Sequence, residues 1–175
     1  DNKIRDASGS MLFGNNNDVS GNALNSLSSG ANNKINGGTQ NVALGDNSKM
    51  TTSNNSILSG LNNIATSIWN SVGFGKTNNM DSTVDSMAVG KDNKLKNTYS
   101  TIVLGSQNDA SNNTTNSFVS GEKNRDYNGQ YNAMMGKSNH INNGEGNMVA
   151  GNGNTVIDAS MNTALGTSNT ISNND

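Results

Sequence analysis

A glycine recurs through this chain at a nearly constant interval, and that interval restricts the fold more than any other property. It falls at Gly14, Gly30, Gly45, Gly60, Gly75, Gly90, Gly105, Gly121, Gly136, Gly151 and Gly166, with eight gaps of 15 residues and two of 16. Counting from each glycine as position 0, position −4 is always small and polar, from Ser10 to Asn162. Position +3 is asparagine in every phrase but one, through Asn63, Asn78, Asn93 and Asn108, with Ser48 the exception. Position +5 is apolar from Val19 to Ile171, except for Asp126.

Within one phrase, positions −3 to −1 are mostly apolar or small and too few for a helix, so they read as a strand buried on both faces. The "N-x-apolar" element after the glycine reads as a second short strand. A coil of 15 residues cannot bury its own apolar face, so neighbouring coils must stack. The period therefore predicts an all-β fold, a parallel β-roll of about eleven coils, stacked about 4.8 Å apart over on the order of 50 Å. Glycine at position 0 suits a bend with positive φ or a close backbone approach; Gly45, Gly60, Gly75, Gly90 and Gly105 are successive examples. The asparagines at +3 are expected at a left-handed turn, where they can also hydrogen-bond along the stack.

Strand alternation puts positions −3 and −1 on one face and −2 on the other. Both are largely apolar: −3 includes Val42, Ile57 and Met87, and −2 includes Leu58, Val103 and Met134. A thin roll has one interior, so the second apolar face is expected to pack against identical chains, giving a homo-oligomer.

Only 30% of the 175 residues are hydrophobic and 4% aromatic, which would leave an ordinary globular core unfilled. A net charge of −2 supplies no basic stripe for nucleic acid and no polybasic membrane patch. No apolar run approaches the roughly 18 residues of a membrane span, and no signal peptide is visible. The lack of cysteine excludes disulfides and thiolate metal sites. "DNKI" at the start falls in the registers of a missing phrase, so residues 1–175 read as a single repeat array cut from a longer protein.

Residues able to do chemistry do not converge. His140 is the sole histidine, at position +4, and reads as a solvated or ladder-paired imidazole. Asp81, Asp85 and Asp92 occupy different registers, unlike the paired acids of a glycosidase. "NRDYNG" at 124–129 imitates half of a calcium loop, but Met135 stands where the closing acid belongs, so an irregular coil is expected there. Lys76 and Lys91, 15 residues apart, read as a solvated face. Neither a cofactor nor an enzyme activity is expected.

The phrase "S-x-A-x-G-x-x-N", seen as "SMAVGKDN" and "NTALGTSN", resembles the head repeat of the trimeric autotransporter adhesins, the YadA-like head, along the whole chain. The resemblance implies a left-handed parallel β-roll, a homotrimer, and a passenger head on the surface of a Gram-negative bacterium. It also implies attachment to a host cell-surface glycoprotein or extracellular-matrix protein. Two departures stand out: position −2 is often larger than alanine, and asparagine replaces much of the usual serine after the glycine.

One column suggests where a receptor could bind. Position −6 is polar or small in most coils but reads Trp69, Val84 and Tyr99 in three successive ones, with Ile68 in the adjoining register. Stacked, these make an aromatic-aliphatic stripe, suited to protein recognition or to padding a junction between chains. Tyr127 and Tyr131 form a second candidate. Two other readings stay open: a monomeric solenoid binding ice or glycans, although Ser53 and Ile68 interrupt the column that holds Thr83 and Thr98, and a polysaccharide-active β-helix enzyme.

Overall fold

The computed structural model, which describes residues 1–172, is a parallel β-solenoid of about eleven coils. Its strands alternate in sequence between a 12-stranded and an 11-stranded sheet. Pairing follows the glycine period: Met87–Lys91 lies between Val72–Lys76 and Ile102–Ser106, with Gly90 beside Gly75 and Gly105. A narrow third face, made of single bridges such as Asn54 to Trp69 and Trp69 to Val84, closes each coil between the sheets.

Gly90 shows why the repeat is anchored on glycine. Its φ is +124°, and a Cβ there would lie 1.9 Å from the carbonyl oxygen of Gly105 in the next coil. The expectation of left-handed asparagines at +3 is corrected. The left-handed corners lie at +2, +7 and −5, as in Asp92 (φ 55°), Asn97 (φ 52°) and Ser100 (φ 49°). Asparagine at +3 is buried because it hydrogen-bonds in three directions. Asn93 Nδ2 donates to the Val89 carbonyl at 3.1 Å and to the Gly105 carbonyl at 2.9 Å, and Asn93 Oδ1 accepts from Asn108 N–H at 3.1 Å. One side chain thus satisfies three backbone groups in two adjacent coils, which a buried backbone requires.

Position −4 forms a second buried ladder. Ser71 Oγ accepts from Ser86 N–H and Ser86 Oγ from Thr101 N–H, both at 3.2 Å, and further along Asn132 Oδ1 accepts from Asn147 N–H at 2.9 Å. The small polar residue at −4 thus serves along most of the stack as a backbone acceptor, although Asn41 Oδ1 is buried without a partner.

The interior is filled by positions −2 and +5 and by a third column, −7, that hydrophobicity does not reveal. The columns trade volume. Where −7 is the large Ile68, its own coil has Ala65 at +5 and the next has Gly73 at −2, where a Cβ would come 2.7 Å from Leu58 Cδ2. Close packing of so thin a core leaves no room for two large neighbours.

The segment 124–129 is not irregular. Arg125–Tyr127 pairs in register with Asp109–Ser111 and His140–Asn142. The extra residue of that coil lies earlier, at the Asn112–Asn113 corner, where both residues have positive φ. Asp126 keeps its place at +5 and is fully buried. Gly129 makes room for it, since a Cβ there would sit 1.9 Å from Asp126 Oδ1. Among the described residues no group of three or more acids, histidines or cysteines is placed to hold a metal ion.

Ser48 interrupts the asparagine ladder. Its N–H donates to Asn33 Oδ1 at 3.0 Å, but its buried Oγ has no partner. Replacing Ser48 with asparagine should restore donors to the Leu44 and Gly60 carbonyls, stabilising the chain by roughly 1–2 kcal/mol. Thermal unfolding should then shift upward by a few degrees; an unchanged or lower midpoint would contradict the ladder's role.

Candidate functional site

Trp69 owes its exposure to alternation on the narrow third face. Ile68 at −7 points inward and is fully buried, whereas Trp69 at −6 is 54% exposed. Ile68 is therefore a core residue and drops out of the candidate receptor surface. The other three members stand together as the spacing predicts. Trp69 N–H donates to the Thr83 carbonyl and Asp85 N–H to the Trp69 carbonyl, both at 2.9 Å, which locks the stack. Val84, half-buried, bridges to Trp69 and pairs with Tyr99, itself 50% exposed. Two coils separate the rings, about 10 Å along the axis.

Amide ladders border this column. Asn55 Nδ2 donates to Asn70 Oδ1 at 3.2 Å, and Asn70 Nδ2 to Asp85 Oδ1 at 3.0 Å, at the corner beside the rings. The arrangement offers large apolar faces with fixed polar groups alongside, as in a recognition surface. It holds no acid-base pair or nucleophile.

Tyr127 and Tyr131 do not form a second patch. Tyr127 lies half-buried on the outer face of the 12-stranded sheet, its hydroxyl donating to Asp109 Oδ2 at 3.1 Å, while Tyr131 is exposed at the −5 corner. His140 is likewise not a solvated imidazole. It is half-buried edge-on to Tyr127, with ring centroids 5.6 Å apart, and its Nε2 is buried without a partner. Burial, reinforced by the Arg125 charge, holds its pKa below the ordinary histidine value. Thr83 and Thr98 are fully buried or nearly so, which removes the threonine column as a flat ice-binding face.

The outer face of the 11-stranded sheet is charged only along its +1 edge, at Asp46, Lys76, Lys91, Glu122 and Lys137. Positions −3 and −1 carry no charged residue in any of the eleven coils. They hold half-buried Val42, Leu44, Ile57 and Met87, and exposed Phe74 and Ile102. The 12-stranded sheet differs: its outward positions carry Lys34, Lys49, Lys94, Asp109 and Arg125.

No family model matches the chain, and no curated protein matches it in sequence. Solved structures it is similar to include the polySia-specific acetyltransferase NeuO, at a TM-score of 0.25 and 9% identity, over 94% of this chain and 74% of that one. A putative acetyltransferase from Desulfovibrio desulfuricans G20 is matched at a TM-score of 0.20 and 10% identity, over 99% of this chain and 68% of that one.

Proposed function

We propose that this chain is the head of a trimeric surface adhesin of the YadA-like type. Three solenoids pack through the outer faces of their 11-stranded sheets and present the Trp69, Val84 and Tyr99 column to a host receptor. The observation that carries this reading is the uncharged, largely apolar pair of outward columns at −3 and −1, which runs through all eleven coils of the 11-stranded sheet and leaves that sheet's charges to its +1 edge. A monomer would leave that face in water as one long apolar ribbon, whereas identical chains related by a rotation axis bury it at once. In this reading the protein stands on the surface of a Gram-negative bacterium, needs no cofactor, does no chemistry, and binds a cell-surface glycoprotein or extracellular-matrix protein.

The double variant Trp69→Ala, Tyr99→Ala tests the receptor surface. Both side chains are half-exposed, so the trimer and its melting temperature should persist, while binding to immobilised matrix proteins or host cells falls at least tenfold. Loss of the trimer would instead assign the column to an inter-chain junction and move the receptor surface elsewhere.

A further inference from the structure

A second surface feature lies on the other side of the coil, where residues at +2 and +4 flank the inward-pointing asparagine. Gln107, Lys123 and Ser138 line one side of a shallow groove and Arg125, His140 and Thr155 the other, enclosing about 540 Å³. Arg125, His140 and Thr155 follow one another in register, so the groove runs along the solenoid axis for about 10 Å.

Its charge is unlike that of the rest of the corner. The coil of Lys123 and Arg125 is the only one of the eleven with a cation at both +2 and +4. No carboxylate lines the groove. Two cations on this side of the coil are paired, Arg5 with Asp18 at 2.7 Å and Lys94 with Asp109 at 3.1 Å, whereas Lys34 and Lys49 stand without an ion pair among the described residues. The Arg125 guanidinium makes neither an ion pair nor a hydrogen bond among the described residues. Asp109, its neighbour in register, takes Lys94 and the Tyr127 hydroxyl on Oδ2, and its Oδ1 is buried without a partner. Lys123 reaches only Glu122 at 3.5 Å, and Glu122 is shared with Lys137 at 3.3 Å.

We infer that this groove binds a carboxylate-bearing saccharide. The Arg125 fork takes the carboxylate in a two-point contact, Lys123 adds a second positive charge, and Gln107, Ser138 and Thr155 bond the sugar hydroxyls. The groove crosses successive coils, so a linear oligosaccharide lies along the stack. This site does not depend on the trimer or on the aromatic column, so a monomeric mass would overturn the proposed assembly and leave the groove in place.

The test is titration calorimetry of the purified chain with an α-galacturonate tetramer, with its fully methyl-esterified form as the uncharged control. The acid form should bind and the ester should not. Arg125→Gln should weaken binding at least tenfold, and Lys123→Gln several-fold, with melting temperatures unchanged. Lys49→Gln, which removes a +4 cation from a distant coil, should leave affinity unaltered. Equal binding of acid and ester, equal losses in Arg125→Gln and Lys49→Gln, or tighter binding of a glutamate tetrapeptide would each overturn the assignment. Binding of a sulfated tetrasaccharide with none of the galacturonate would overturn it too.

Discussion

Gly90→Val should lower the stability of the solenoid by about 4 kcal/mol or more, and a Tm fall of about 10 °C or more would accompany it. Two costs combine. At φ +124° a β-branched residue is strained, and its Cβ would stand 1.9 Å from a backbone oxygen that cannot retreat without breaking the Gly105 coil. Asn97→Ser is the matched control. Asn97 occupies the +7 corner with φ 52°, and Ser67 and Ser82 already hold that corner in the two preceding coils with φ 54°. It should change stability by no more than about 0.5 kcal/mol. Equal melting temperatures for the two variants would contradict the coil register.

The second large effect belongs to Asp126. Burial pushes its carboxyl up from the ordinary 3.8 to about 6, opposed by the hydrogen bond that Asn132 Nδ2 donates to Asp126 Oδ1 at 3.2 Å. A carboxyl with a raised folded pKa binds its proton more tightly in the native state. Its contribution is therefore fully present below about pH 4, is lost as pH rises through about 6, and leaves a deficit of roughly 3 kcal/mol at pH 7. Asp126→Asn keeps the shape without the charge, so it should melt higher than the parent at pH 7. The gap should close as pH falls to 4. His140, with its lowered pKa, works in the opposite sense, destabilising on acidification, but it is present in both proteins and cancels from the difference. A gap constant between pH 4 and 7 would show that Asp126 does not titrate as a buried carboxyl.

Periodicity made the stacked coils, the parallel pairing and the column at −6 legible, because one residue in 15 carries each structural duty. What it concealed were duties performed by polar residues. The −7 column holds alanine, glycine, serine, isoleucine and threonine, so hydropathy does not mark it, yet it is interior. There small size matters more than polarity, and hydroxyls can bond inward, as Thr83 Oγ1 does to Ser71 Oγ at 3.3 Å. Ile68 was misplaced for this reason. Asparagine at +3 suggested a turn because that is its commonest use, whereas three simultaneous hydrogen bonds decide its burial. The exception at Asp126 signalled irregular backbone, but Gly129 had absorbed it. Lys123 and Arg125 gave a readable signal too, two cations two residues apart at registers that elsewhere carry at most one.

The molar mass of the purified chain in solution tests the central claim most directly. Light scattering at micromolar concentration should return about 55 kDa, three copies of an 18.2 kDa chain, because only association covers the uncharged −3 and −1 columns of the 11-stranded sheet. A single species of 18.2 kDa would contradict the account, since those columns would then be stable in water without a partner.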